Sequence, residues 1–238
     1  MSSLLCFIAV SYASESSFPP IKLYYENRAP YMEVNNGELA GAEGLLASAA
    51  LKSAGITVNL SEAPVARQTA LISNNTEPAC AVGLYWTAER ARMGKYSLPL
   101  THSQPQSIVI RANNTKVTTT DRLVDLLANP SFSLILRNGY SYGADVDAIL
   151  KEAKATILRP YDNSLERIRQ VHLGIVDGAM FTPFEAEYLI KQLGSHGNDL
   201  IVKQFKDAPD GKSRHLYCSK MVDDSLIKKI NEALRKGS

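Results

Sequence analysis

The sequence predicts an α/β protein made of two similar halves. Three observations lead there. Short β-type runs alternate with segments of helical spacing from Ile21 to Leu84, and the alternation restarts at Gln106. Two of the runs, ACAVGL (79–84) and IVDGAMF (175–181), read as buried strands. A strand–helix–strand order of this kind predicts a parallel sheet with helices on both faces.

In the first half, IKLYY (21–25) is a strand. Glu43 to Ala54 is a helix with Leu45, Leu46, Ala49 and Ala50 at helical spacing, stopped by Gly55. ITVNL (56–60) is a strand, Val65 to Ser73 a short helix, and ACAVGL a strand leading to a helical turn at Thr87. In the second half, QSIVIR (106–111) is extended, Thr120 to Ala128 helical, and FSLILR (132–137) a strand that runs into the loop Asn138–Gly143. A helix through Leu150 and Ala153 and the strand TILRP (156–160) follow. Asn163-Ser-Leu-Glu166 and Thr182-Pro-Phe-Glu185 are capping boxes, each opening a helix, the second with proline at its first position. They start helices ending near His172 and Gly194, on either side of the IVDGAMF strand. LIVKQF (200–205) is extended, Asp207 to Gly211 turns, RHLYCS (214–219) is a strand, and Asp223 or Asp224 caps a last amphipathic helix carrying Leu226, Ile227, Ile230 and Leu234.

With 238 residues the chain is long enough for one large domain or for two lobes with cores of their own, and a formal charge of +2 without a Lys/Arg block disfavours nucleic acid or an anionic membrane as partner. Past residue 20 no apolar run reaches bilayer length. Leu4–Val10 followed by Ser11-Tyr12-Ala13 reads as the end of a secretory signal cut after Ala13, although no basic residue precedes Lys22; residues 1–17 are set aside as its remnant. That leaves Cys80 and Cys218 in the mature chain, either a disulfide of an exported protein or two buried thiols. The four histidines are scattered and no CxxC occurs, so neither a metal site nor a cofactor is expected.

Ligands of open parallel sheets bind beyond the carboxyl ends of the strands. Those ends carry Glu26, Asn27, Arg28, Pro30 and Tyr31, then Tyr85, Trp86, Thr87 and Arg90, then Asn138, Gly139, Tyr140 and Ser141, and finally Thr182. Aromatic faces, guanidiniums and helix N-termini in one place suit a small polar ligand bearing a carboxylate or another anion.

Tyr25-Glu-Asn-Arg-Ala-Pro-Tyr31 followed by Gly37-Glu-Leu-Ala-Gly41 resembles the opening of the family 3 extracellular solute-binding proteins, with its "PPY" and "G-x-L-x-G". Gly83-Leu-Tyr-Trp-Thr-Ala-Glu-Arg90 resembles the family's "G-x-T-x-T-x-E-R", Ser97-Leu-Pro99 its "F-S-x-P", and Gly174-Ile-Val-Asp-Gly-Ala179 its "G-x-V-D-A". The C-terminal Ile230–Leu234 also fits, and the likeness spans about residues 20–235.

The resemblance implies a type II periplasmic-binding fold with two crossover strands. Residues 18–108 plus 206–238 form lobe 1 and 109–205 form lobe 2, so that the last strand and helix complete lobe 1. In that fold ACAVGL and RHLYCS lie side by side, and a Cys80–Cys218 bridge is expected. The resemblance further implies that Arg90 binds a carboxylate, that Gly83 and Tyr85 contact ligand, and that Arg137 and Ser141 belong to the lobe 2 anion loop. Thr182 falls where amino-acid binders carry an aspartate for the ligand ammonium. Either Glu26 substitutes from lobe 1, or the ligand is a carboxylate, a modified amino acid or another small polar molecule. Arg67 stands where an apolar residue is commoner, and with Arg28, Arg90 and Arg137 it makes an arginine-rich cleft that favours an anion. The implied function is periplasmic capture of a small carboxylate-bearing solute, an amino acid or derivative, by a monomeric receptor of a Gram-negative bacterium. It would work by hinge closure, with an inner-membrane ABC permease as partner. Two other readings are a dehydratase-type enzyme on the same scaffold, for which Glu26 and His102 are the acid–base candidates, and a diffusible sensor.

Overall fold

The computed structural model describes residues 18–118, 120–160 and 163–236. The expected signal remnant, with its cleavage point after Ala13, lies outside the described residues.

The chain opens with β1 (Ile21–Tyr25), a hairpin of β2 (Glu33–Asn35) and β3 (Glu38–Ala40), and helix α1 (Gly41–Ser53). β4 (Val58–Glu62), α2 (Val65–Ser73), β5 (Ala79–Tyr85), the short α3 (Ala88–Met93) and the long β6 (Gly94–His102) complete this stretch. The chain then builds β7 (Ser107–Arg111), α4 (Thr115–Thr118), α5 (Leu123–Leu127), β8 (Ser133–Ile135), α6 (Ala144–Lys151) and β9 (Thr156–Leu158). It continues through α7 (Ser164–His172), β10 (Gly178–Phe181), α8 (Pro183–Gln192) and β11 (Leu200–Lys203), and closes with β12 (Ser213–Ser219) and α9 (Asp224–Lys236).

Two five-stranded sheets result, in the orders β4-β1-β5-β12-β6 and β11-β7-β10-β8-β9. β12 returns after the whole second sheet has been built and inserts between β5 and β6 of the first. Cys218 stands opposite Cys80 in the register of β12 with β5, and the two are joined by a disulfide. The sheets are mixed rather than parallel throughout. β1 runs parallel to β4 and β5, but β12 is antiparallel to β5 and β6, and β7 is antiparallel to β10 and β11. The crossover and return strands enter each sheet from the opposite end, which imposes this.

Each lobe has its own apolar core. Leu23, Ala47, Leu51, Cys80, Leu216, Leu226 and Ile230 pack in the first, and Ile108, Ile110, Phe132, Leu134, Leu136 and Met180 in the second. The buried face of α1 is Glu43, Ala47, Ala50 and Leu51, spaced by three and four residues. Leu45 and Leu46, read from the sequence as part of the stripe, are exposed instead. The two expected caps are made, Asn163 accepting from the Glu166 N–H at 2.8 Å and Thr182 from Glu185 at 3.4 Å, and Thr87, where a helical turn was expected, caps α3 by accepting from the Arg90 N–H at 3.1 Å. Asp223 rather than Asp224 caps the last helix, accepting from the Ser225 N–H at 2.7 Å.

Other boundaries move for tertiary reasons. The helix expected from Thr120 begins at Leu123, where Asp207, distant in sequence, accepts from the Leu123 and Val124 N–H groups at 2.5 and 3.2 Å. The strand expected from Ile175 begins at Gly178, because Asp177 is turned into a polar knot. Its carboxylate accepts from the Ser133 N–H and hydroxyl at 2.8 and 2.9 Å and pairs with Lys116 at 2.8 Å. The family-like Asp177 therefore clamps the start of β10 to β8.

Candidate ligand cleft between the lobes

The carboxyl ends of β1, β5 and β8 meet the N-terminus of α8 between the two sheets. The residue at the centre was not singled out from the sequence. Arg214, the second residue of β12, lies directly opposite Tyr85 of β5 and, with the second lobe's Tyr140 over it, is 4% exposed. Each of its three nitrogens is engaged. Nε meets Ser103 Oγ at 2.9 Å and Glu43 Oε1 at 3.1 Å, and Nη1 donates to the Gly83 carbonyl at 2.9 Å. Nη2 donates to the hydroxyls of Tyr85 at 2.9 Å and Tyr140 at 2.7 Å. The guanidinium also lies 4.2 Å from the centre of the Tyr85 ring.

Arg28 comes from the loop after β1. Its Nη1 donates to the same Tyr140 hydroxyl at 2.9 Å, and its guanidinium stands 3.8 Å from Glu43 and 3.9 Å from Glu185. Burial disfavours both cations, but Tyr140 and Glu43, joined at Arg28 by Glu185, outweigh it, so Arg28 and Arg214 are held above the ordinary arginine value. Burial pushes the Tyr31 phenol up to about 12, and its hydroxyl hydrogen-bonds the Thr182 hydroxyl across the cleft. Farther out, Arg137 reaches from the second lobe to Glu26 of the first, Nη2 to Oε1, at 2.5 Å.

The remaining space is unequal. Beside Arg28, Glu43, Gly83, Arg90 and Arg214 a cavity of about 30 Å³ is left, enough for a water, and one of about 10 Å³ lies by Arg137 and Thr182. Outside them is a space of about 980 Å³ at the mouth, lined by Glu26, Arg137, Gly139 and Tyr140 among others. Tyr140 borders both the inner and the outer space.

Of the residues picked from the sequence, the fold brings Glu26, Arg28, Gly83, Tyr85, Arg90, Arg137, Tyr140 and Ser141 onto the walls of these spaces, with Gly139 at the mouth and Thr182 on the second-lobe side. Tyr31 reaches the cleft through Thr182. Arg67 and Trp86 do not join them. Arg67 is on the exposed face of α2, whose buried side is Gln68 and Ile72, and Trp86 is 58% exposed beyond the end of β5. His102 is exposed and hydrogen-bonds Ser213 at 3.2 Å, away from these cavities. Arg90 folds back along its own strand end, Nη1 donating to the Tyr85 carbonyl at 3.0 Å. Ser141 is turned to Asp147, at 2.5 Å.

Arg214, Glu43 and Glu185 are the residues that sequence reasoning missed. The signal for Arg214 was a lone formal charge at the start of a strand whose centre, Leu216 to Cys218, is apolar or aromatic. Glu43 and Glu185 sit in the first turns of α1 and α8, where a carboxylate reads equally well as a helix-start charge.

Five guanidiniums (Arg28, Arg90, Arg137, Arg167 and Arg214) face three carboxylates (Glu26, Glu43 and Glu185) around the two inner cavities, a formal excess of two positive charges. The arrangement suits an anion. Residue 182 is a neutral threonine, so it presents no carboxylate to an ammonium group, and the Gly83 carbonyl already accepts from the Arg214 cation.

Comparison with known proteins agrees with the fold. The sequence matches the family model of the bacterial extracellular solute-binding proteins, family 3, over residues 21–237. No curated protein matches it. Among solved structures, an ancestral arginine-binding protein bound to arginine is 20% identical, with 91% of each chain covered and a TM-score of 0.72. A structure from work on glutathione import via GshT and the cystine ABC importer TcyBC of Streptococcus mutans is 18% identical, covering 91% of this chain and 88% of that one, with a TM-score of 0.74. An ancestral amino acid-binding protein, a precursor of cyclohexadienyl dehydratase, is 19% identical over 91% and 88%, with a TM-score of 0.70. At these identities the structures speak for a shared two-lobed fold.

Proposed function

The chain belongs to the bacterial extracellular solute-binding proteins, family 3, and we propose that it is an exported receptor that captures a small, polar, carboxylate-bearing solute between its lobes. The lobes, residues 18–108 plus 206–238 and residues 109–205, close by hinge motion at the two crossovers. The ligand is an amino acid or a derivative of one, and its carboxylate dominates recognition.

The observation that carries this reading is the charge of the cleft, with five guanidiniums against three carboxylates around the inner cavities. In so buried a setting a cationic ligand would have to compete with Arg28 and Arg214 for Glu43 and Glu185, leaving charges unpaired. Contacts that cross between the sheets, Arg137–Glu26 and Tyr31–Thr182, support closure as the working motion, since each forms only when the lobes approach. Handing the ligand to an ABC permease in the periplasm is the role proposed for the closed form. Among the described residues no helix is long and apolar enough to cross a membrane.

Isothermal titration against the twenty amino acids and a set of dicarboxylates tests the reading. Neutral or acidic members bind; tight binding of L-arginine or L-lysine overturns the anionic assignment. Mass spectrometry of solute co-purified with the protein names the ligand, and its recovery unchanged after incubation separates a receptor from an enzyme.

A further inference from the structure

We propose that Arg28 and Arg214 together form an oxyanion subsite, that the Tyr140 hydroxyl is its built-in occupant, and that a ligand carboxylate binds there by displacing Tyr140. This rests on the receptor reading above, but it places the anchoring charge away from Arg90, the position that the family resemblance would favour.

The geometry has three parts. First, two guanidinium N–H groups from separate elements, the loop after β1 and the head of β12, converge on one oxygen at 2.9 and 2.7 Å. A neutral phenol is a weak partner for two buried cations. A carboxylate offers two anionic oxygens to the same two donors, in bonds roughly twice as strong as neutral ones. Burial pushes the Tyr140 phenol up, yet Arg214 and Arg28 more than cancel it and hold it below the ordinary tyrosine value, so this spot favours negative charge on oxygen.

Second, the counter-charges leave these donors to the oxygen. Glu43 and Glu185 stand 3.8 and 3.9 Å from Arg28, beyond hydrogen-bond distance, and Glu43 meets Arg214 through Nε, not through the Nη2 that faces Tyr140.

Third, the occupant has somewhere to go. Tyr140 rides on a loop between Gly139 at φ +65° and Gly143 at φ +99°, and it borders both the inner cavity and the space of about 980 Å³ at the mouth. A turn of the ring outward vacates the subsite and opens the route to it in one motion. Arg90, by contrast, has Nη1 committed to the Tyr85 carbonyl of its own turn.

The test uses acetate and succinate as probes, titrated calorimetrically and followed by thermal unfolding. Tyr140→Phe removes the occupant and keeps the ring. Its affinity for the probes rises about tenfold or more over the parent protein, the worth of one charge-assisted hydrogen bond, and the probes raise its Tm more than that of the parent. Adding Arg28→Gln abolishes the gain and Arg28→Lys recovers part of it, while adding Arg67→Gln, on the exposed face of α2 and outside the cleft, leaves it within about threefold. Circular dichroism confirms that each variant is folded; the milder Arg28→Lys carries the test should Arg28→Gln fail to fold. No gain in Tyr140→Phe, or a gain that survives both Arg28 variants, overturns the subsite. If the amino-acid and dicarboxylate titrations find a ligand whose binding is lost only with Arg90→Gln, the subsite is wrong and the receptor reading stands.

Discussion

Arg214 and Glu43 form a buried ion pair, Nε to Oε1 at 3.1 Å, between the last strand of the first sheet and the first turn of α1. Glu43 Oε1 has no aligned hydrogen-bond donor, so the contact is chiefly one of charge. Glu43→Gln keeps the shape and removes the charge, leaving Arg214 to be balanced by neutral hydroxyls and carbonyls. The expected loss is about 3 kcal/mol, read from urea unfolding. A loss under about 1 kcal/mol would show that Arg214 needs no counter-ion here.

The two glycines of the Gly37–Gly41 motif separate backbone strain from crowding. Both have positive φ, +79° and +81°, but a Cβ on Gly37 meets nothing within 4 Å, whereas on Gly41 it would lie 2.7 Å from the carbonyl carbon and oxygen of Tyr31. Gly37→Ala should therefore cost about 1 kcal/mol, the price of the left-handed conformation alone. Gly41→Ala should cost at least about twice that, because backbone cannot move aside. Equal losses in thermal or urea melts would contradict the contrast.

Asp177 makes stability depend on acid. Its burial raises the carboxyl, but Lys116 and the Ser133 N–H and hydroxyl outweigh that and hold it below the ordinary aspartate value. A carboxyl lowered in the folded state stabilises fully above its unfolded value of about 3.9 and loses that contribution as pH falls through the lower folded value. The difference in unfolding free energy between the parent and Asp177→Asn should hold steady from neutral pH down to about pH 5 and shrink below about pH 4. A difference that grows on acidification rules this out.

Cys80 and Cys218 close a loop across a sequence separation of 138. Replacing both by alanine should cost about 2–5 kcal/mol, since long loops gain most from closure. The measurement is the shift in urea midpoint between the double variant and the oxidised parent. An unchanged midpoint would mean that the neighbouring ladder between β5 and β12 already does the work.

Much of the fold was legible because it is written locally. The caps at Thr87, Asn163 and Thr182 each need only three residues, and the buried strands around Ala81 and Ala179 announce themselves by composition. β6, which carries Pro99 and ends at the exposed His102, has no such signature and was visible only as the family-like Ser97-Leu-Pro99. The outer wall of the cleft was legible from strand ends; its floor was not. Arg214, Glu43 and Glu185 are buried charges whose partners are supplied by elements far apart in the chain, and a single sequence prices such residues as surface. Arg67 and Trp86 failed for the opposite reason, since position after a strand or in a short helix does not fix the direction of a side chain.

The bridge between β5 and β12 has a topological consequence. It encloses every residue of the second sheet, from Ser107 to Lys203, in one covalent ring fastened at its neck. A protease that nicks this ring once cannot release a fragment. The two pieces travel as one molecule until a reductant is added, and the first lobe keeps its returning strand throughout.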